Sequence, residues 1–239
     1  VFHINPDGAH VGIIDVGGSR TRVGLANLHG KVIVDAQLRQ SVDSGPEAIL
    51  DSALAELIWM FEENGAASSP KVIVIGLPGP VDFKTGKVVS PPIMKSWQGF
   101  NVRAHVNARV PFTVIIDNDV NLIALAEQRI SHPKSKVLLA IKLGTGIGGG
   151  LMVDGRPLRG ANGAAGDIGH IQSALANDAA CKCGQFGCVE AVASGWALVH
   201  TLKSRQLPVE TVTDVAHLVR DGNPVAMSLV AAATKVVGQ

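Results

Sequence analysis

Twice along this chain an apolar run feeds straight into a glycine-rich turn and then into a second apolar run. The first instance is VGIIDVGGSRTRVGLANL (11–28) and the second KVLLAIKLGTGIGGGLMVDG (136–155). Short runs rich in Val, Ile and Leu on either side of a glycine turn read as adjoining strands. A further run, KVIVDA (31–36), follows the turn at His29-Gly30, and Asp154-Gly155 marks a turn after the second pair. Strand, glycine turn, strand and hairpin therefore occur in two rounds that share pattern rather than identity, which suggests two related α/β halves. At 239 residues the chain exceeds the usual domain of roughly 100–200 residues, so two modest lobes are expected, 1–118 and 119–239.

The segments between these rounds fill in the halves. Pro46 to Glu63 reads as a helix, with Pro in its first turn and Ile49, Leu50, Ala53, Leu57, Trp59 and Phe61 directed to the core, stopped by Asn64-Gly65. KVIVIGL (71–77) and FTVIIDN (112–118) are buried-type strands, 83–111 is loop-rich, and Asp119 to Gln128 is a helix packing on Leu122, Ile123 and Ala126. Residues 187–204 and 213–237 read as helical, with Ala, Val and Leu dominating. The chain stops at Val236-Val237-Gly238-Gln239 inside an apolar helical pattern without a cap, which reads as a lobe incomplete at its C-terminal end.

Composition excludes several function classes. A net charge of +1 leaves no electrostatic footprint for nucleic acid, so any DNA contact is expected from a segment outside this chain. No apolar run reaches the ~18 residues that span a bilayer, and the first residues carry no signal-peptide pattern. A cytoplasmic protein with no membrane contact is expected.

Four stretches carry chemistry. In DVGGSRTR (15–22) a carboxylate ends a strand and a Gly-Gly turn follows; its backbone N–H groups can hold phosphate oxygens while Asp15 reaches a phosphate-bound Mg²⁺. LGTGIGGG (143–150) repeats the device. Neither is a Walker loop or a dinucleotide fingerprint, and two such turns fit a two-lobed nucleotide cleft. The candidate cofactor-binding residues are Asp15, Gly17, Gly18, Ser19, Gly144, Thr145 and Gly146. DNDVN (117–121) places carboxylates and amides where a strand meets a helix; Asp119 can take a proton from a hydroxyl and Asn118 can bond a sugar, but helix capping explains the same residues equally well.

The three cysteines of the chain all lie in CKCGQFGC (181–188), and His170 precedes them to give H-x10-C-x-C-x4-C. Three thiols and an imidazole make the tetrahedral donor set of a structural Zn²⁺, whereas a disulfide across Cys181-Lys182-Cys183 would be strained. The expected ligands are His170, Cys181, Cys183 and Cys188. The other histidines have no metal spacing. Trp97, in a loop beside Gln98-Gly99, is a candidate to close over a ligand.

In this order, DVGGSRTR, GLPGPVD (76–82), DNDVN, LGTGIGGG, GDIGH (166–170) and CKCGQFGCVE (181–190) resemble the ROK family of sugar kinases and sugar-responsive repressors. The resemblance covers nearly the whole chain and implies the two-lobed actin-like ATPase/sugar kinase (ribonuclease H-like) α/β fold, with ATP and sugar meeting between lobes. It implies sugar contacts from Asn118, Asp119, Asp167, His170 and Glu190, with Asp119 as general base in a kinase that uses ATP and Mg²⁺. It also implies a homodimer or higher homo-oligomer. Three departures lean toward the repressors. Asp167 stands where the kinases usually have Glu, Gly18-Ser19-Arg20 replaces Gly-Thr-Lys, and Val-Asn-Leu follows Asp119. The lead-in from His3 to Gly8 also resembles the join after a winged helix-turn-helix. The leading expectation is the effector-binding region of a transcriptional regulator responding to a sugar or sugar phosphate, and the alternative is an ATP-dependent hexose or amino-sugar kinase. Because the later segment that would cradle adenosine is not in this chain, turnover by the chain alone is expected to be poor.

Overall fold

The three runs of the first round are all strands: β1 (His10–Val16), β2 (Thr21–Asn27) and β3 (Val32–Leu38). The computed structural model describes residue 3 and residues 5–64, 72–89, 91 and 94–238. Ile4 of the lead-in, Gly65 of the first helix stop and Lys71 of the next strand lie outside these residues. β1 and β2 pair antiparallel from His10↔Asn27 to Val16↔Thr21, and β2 pairs antiparallel with β3. α1 (Pro46–Glu63) then crosses over to β4 (Val72–Leu77), which lies parallel to β1. A two-stranded ribbon, β5 (Val81–Asp82) and β6 (Lys87–Val88), and the short α2 (Val102–Asn107) precede β7 (Thr113–Asn118), parallel to β4. The resulting sheet has the order β3-β2-β1-β4-β7.

Apolar side chains of this sheet and of α1 bury one another: Ile14, Val23, Leu25, Ile73, Ile75 and Ile116 with Ile49, Leu50, Leu57 and Met60. α1 keeps its sequence-predicted bounds because both ends are chemically marked. Pro46 opens it, and the Asn64 side chain donates to the Met60 carbonyl at 2.8 Å to close it. Of the three tryptophans, Trp59 and Trp97 are exchanged relative to expectation. Trp59 is 53% exposed, one helical position past the buried face, whereas Trp97 is fully buried and its Nε1 donates to the Val42 carbonyl at 3.1 Å. Trp97 is thus a core anchor packed edge-on to Phe100, not a cover for a ligand.

The chain divides into two compact units, residues 1–122 with 160–164, and residues 123–159 with 165–239. α3 (Asp119–Ile130) begins in the first and continues into the second. It buries Val120, Asn121, Ala124 and Gln128 while Ile123 is exposed, so its buried face is turned from the one expected.

The second unit carries β8 (Val137–Leu143), β9 (Ile147–Val153) and β10 (Arg156–Pro157) in one antiparallel sheet of order β10-β9-β8. Asp154 (φ 47°) and Gly155 (φ 77°) form the two-residue left-handed turn between β9 and β10, the conformation for which Asp-Gly is suited. The two helical stretches expected near the end hold four helices: α4 (Val189–Ala193), α5 (Gly195–Ser204), α6 (Val212–Arg220) and α7 (Pro224–Val237). Ser194 breaks the first pair by adopting an extended backbone and capping Ala197 N. Asn223, capping Val225 N and Ala226 N just before Pro224, starts α7 afresh. No helix among the described residues is long and apolar enough to cross a membrane.

Candidate functional site

In the first unit, candidate residues collect at the carboxyl ends of three parallel strands. Asp15 of β1, Gly76 of β4 and Asp117 of β7 occupy one level of the sheet by register. Ligands of open α/β sheets bind outside such strand ends. Gly76 keeps the level open, since a Cβ there would lie 3.6 Å from Asp15 Oδ1 and 3.7 Å from the Asp119 Cα, and 3.2 Å from Leu122 Cδ1. Beyond Asp15 the β1–β2 turn is closed by Gly17 N donating to the Arg20 carbonyl at 2.8 Å, with Gly18 and Ser19 at its tip. The Gly18 carbonyl accepts from the Ser41 hydroxyl at 3.3 Å.

Asn118 and Asp119 are set by a local network. Asn118 Nδ2 donates to the Gly79 carbonyl at 3.2 Å, and its Oδ1 accepts Val120 N at 2.9 Å, so it both caps α3 and holds the 76–82 loop. Asp119, the first residue of α3, is 6% exposed, and a carboxylate is favoured at the positive end of the helix dipole. The capping role weighed for this segment is therefore real for Asn118. Asp117 and Asn121, which sequence reasoning gave no role, lock the junction: Asp117 Oδ1 accepts Asn118 N at 2.8 Å and Asn121 Nδ2 at 2.9 Å.

In the second unit, the β8–β9 turn repeats the closure seen in the first, with Gly144 N donating to the Gly146 carbonyl at 2.9 Å around Thr145. Glu190, 7% exposed, reaches this turn: its Oε2 accepts Ile147 N at 2.7 Å. Gly146 and Gly169 make room for it, since a Cβ on either would lie 2.6 and 3.2 Å from Glu190 Oε2. Asp167 is half-buried and its Oδ1 is 3.7 Å from His170 Nε2, beyond direct hydrogen-bond length. Burial raises the Asp167 carboxyl above its usual range, against the pull of His170 in the other direction.

The other face of His170 turns to the cysteines. One donor atom each from His170, Cys181, Cys183 and Cys188 lies within 4.8 Å of all the others. His170 Nδ1 is 3.5 Å from Cys181 Sγ, and Cys183 and Cys188 Sγ are 3.8 Å apart with all three cysteines unbridged. Metal bonds of ~2.3 Å to sulfur and ~2.0–2.1 Å to nitrogen, set tetrahedrally, require S···S about 3.8 Å and S···N about 3.5 Å. Two of the six donor pairs already have these separations, and the donor set suits such an ion. Burial first and the neighbouring thiols next push the Cys188 thiol up to about 12.

Residues 11–239 match the ROK family. The chain belongs to it. It is 32% identical over 184 residues to a glucokinase of Halalkalibacterium halodurans, covering 76% of this chain and 55% of that protein. It is likewise 32% identical over 207 residues to a xylose repressor of Caldicellulosiruptor bescii, covering 85% of this chain and 51% of the repressor. The ROK chain thus spans about half the length of these curated relatives. Among solved structures, a ROK transcriptional regulator, homologous to the E. coli MLC protein, superposes with TM-score 0.81 at 25% identity, over 98% of this chain and 61% of its own. A ROK glucokinase from Streptomyces griseus in complex with glucose and AMPPNP gives 0.82 at 25% identity, over 96% and 77%. The fold is the actin-like α/β fold of the ROK sugar kinases, and the relatives include regulators and kinases alike.

Proposed function

We propose that this chain is the sugar-binding effector region of a cytoplasmic, sugar-responsive transcriptional regulator whose DNA-reading segment lies elsewhere in the natural protein. The observation that carries this reading is Asp167. The sugar kinases that the chain resembles usually place Glu there, and a carboxylate one methylene shorter, held 3.7 Å from His170 Nε2, meets a sugar hydroxyl differently. Asn118, Asp119, Asp167, His170 and Glu190 are the proposed hydroxyl partners, and a sugar or sugar phosphate that binds one conformation more tightly shifts the regulator between states. A homo-oligomer is part of the proposal.

His170, Cys181, Cys183 and Cys188 are proposed to hold a structural Zn²⁺. Bound there, the ion would neutralise thiolate charge and fix the 181–188 loop; with four protein ligands the site has no open position for water. His170 would offer Nδ1 to the metal side and keep Nε2 for the side of Asp167.

A kinase is the second reading, favoured by the placement of Asp15 at the end of β1 and Asp119 just past the end of β7, the two strands that flank β4, and by two closed glycine turns. In that case Asp119 takes the proton of the attacking hydroxyl, Asp15 faces the phosphate-bound Mg²⁺, and the turn N–H groups position the transferred phosphoryl. Asp119→Asn in the full-length protein separates the two. With glucose, xylose and N-acetylglucosamine as probes, the regulator reading expects no ATP-dependent phosphorylation by wild type, and sugar affinity or operator release altered in the variant. Wild-type turnover that the variant loses would replace the regulator by the kinase.

A further inference from the structure

We infer that the His170/Cys181/Cys183/Cys188 cluster controls the conformation of the 144–147 glycine turn, making metal occupancy a switch on phosphate binding as well as a brace for the sugar-facing loop. The inference rests on the zinc reading proposed above and, for phosphate binding, on the kinase reading, and extends the zinc site to a second segment of the same unit.

Three connections run from the cluster to the turn. Glu190 follows the ligand Cys188 by two positions and binds Ile147 N at 2.7 Å through Oε2. Next along the chain, Gly195 N donates to the Gly144 carbonyl at 2.8 Å and Trp196 N to the Thr145 carbonyl at 3.1 Å. Finally, Lys182, between two ligands, places its ammonium 4.5 Å from the centroid of the Trp196 ring, which itself stacks on His200. The same short segment, 181–196, therefore holds the cysteine ligands at one end and grips Gly144, Thr145 and Ile147, three of the four positions of the turn, at the other.

The fit is close enough that motion at one end is passed to the other. A Cβ at Gly195 would meet the Gly144 carbonyl at 2.7 Å, and one at Gly146 would meet Glu190 Oε2 at 2.6 Å. On the opposite side, Gly169, adjacent to the ligand His170, packs against the Ile147 carbonyl. Packed contacts of this kind shift between discrete arrangements instead of deforming smoothly. Releasing Cys188 from an ion frees the start of α4 and with it Glu190, and the backbone N–H groups of the turn lose the arrangement in which they would face phosphate oxygens. Glu190 acts here as a positioning residue.

The test is amide exchange of the full-length protein, after its zinc content has been measured, before and after removal of zinc by a chelator. Loss of zinc is expected to speed exchange across 143–147 about five- to tenfold, the loss of roughly one backbone hydrogen bond, with α6 unchanged. Zinc-loaded Glu190→Ala should reproduce that change with its zinc retained, and Glu190→Gln, which keeps an acceptor oxygen, should restore protection. Under the kinase reading, binding of the ATP analogue AMPPNP, followed by calorimetry, should weaken in step. A zinc-binding protein whose 143–147 exchange ignores the chelator overturns this inference and leaves the zinc reading intact. A protein that binds no zinc overturns both, and equal loss of protection throughout the second unit shows that the metal supports folding without selecting the turn.

Discussion

Asp117 and Asn121, four residues apart across the junction of β7 and α3, hold each other at 2.9 Å, and both are almost wholly buried. The pair fixes the direction in which α3 leaves the strand, and so the positions of Asn118 and Asp119 between them. Asn121→Ala removes a donor from a buried carboxylate. Leaving such a group undersatisfied costs about 1–3 kcal/mol, so the urea unfolding midpoint should fall by that equivalent. Sugar affinity, measured on the folded variant, should fall too, because Asn118 and Asp119 lose their fixed frame.

The tryptophans allow a comparison within one side-chain type. Trp97→Phe removes the indole donor from the Val42 carbonyl, which keeps only Gly45 N at 3.3 Å, opens a cavity beside Phe100, and should destabilise by about 1–3 kcal/mol. Trp59→Phe, at an exposed position, should stay within about 0.5 kcal/mol. Equal effects in chemical denaturation would contradict the burial assigned to them.

Replacing Cys183 by Ser removes a thiolate from the cluster and leaves three donors for a four-coordinate ion. Zinc per chain, measured by elemental mass spectrometry, should drop from one toward zero, with a melting temperature lower on the order of 5–10 °C. Unchanged metal content would remove Cys183 from the ligand set.

Local chemistry explains which features could be read from the sequence. The strands around Gly17-Gly18 and Gly144-Gly146 were legible because apolar runs against glycine admit few alternatives, and the helix Pro46–Glu63 because both ends carry cap chemistry. The Cys/His cluster was legible because three cysteines within eight residues leave few other uses. Contacts set by tertiary packing were not. Glu190 meets Ile147 across 43 residues of chain, and nothing in CVEAVA announces it. The burial of Trp59 and Trp97 does not follow from local pattern, because an apolar residue beside a helical stripe and one in a loop gain their burial from what packs over them. The breaks at Ser194 and Asn223 do carry a local signal, a capping side chain within an apolar stretch, which a reading by periodicity alone passes over.

The cap of α6 yields a prediction in pH. Asp214 Oδ2 accepts Glu210 N at 2.9 Å, Thr211 N at 2.7 Å and the Thr211 hydroxyl at 2.9 Å, while Thr211 Oγ1 accepts Asp214 N at 3.3 Å, a reciprocal capping box. The backbone bonds from Glu210 and Thr211, then the Thr211 hydroxyl, hold the Asp214 carboxyl below its usual range. Near the ordinary aspartate value of about 3.9 the unfolded chain therefore binds more protons than the native one. The stabilisation is present above that value and is lost as pH falls through the depressed native one. Asp214→Asn keeps an acceptor but no charge, so α6 amides should exchange faster than in wild type at pH 7. The ratio between the two proteins, each corrected for intrinsic exchange, should close toward one as the pH is lowered from 7 through the depressed native value, where the wild-type carboxyl becomes neutral as well. A ratio that does not change between these limits would mean that the charge of Asp214 contributes nothing to the cap.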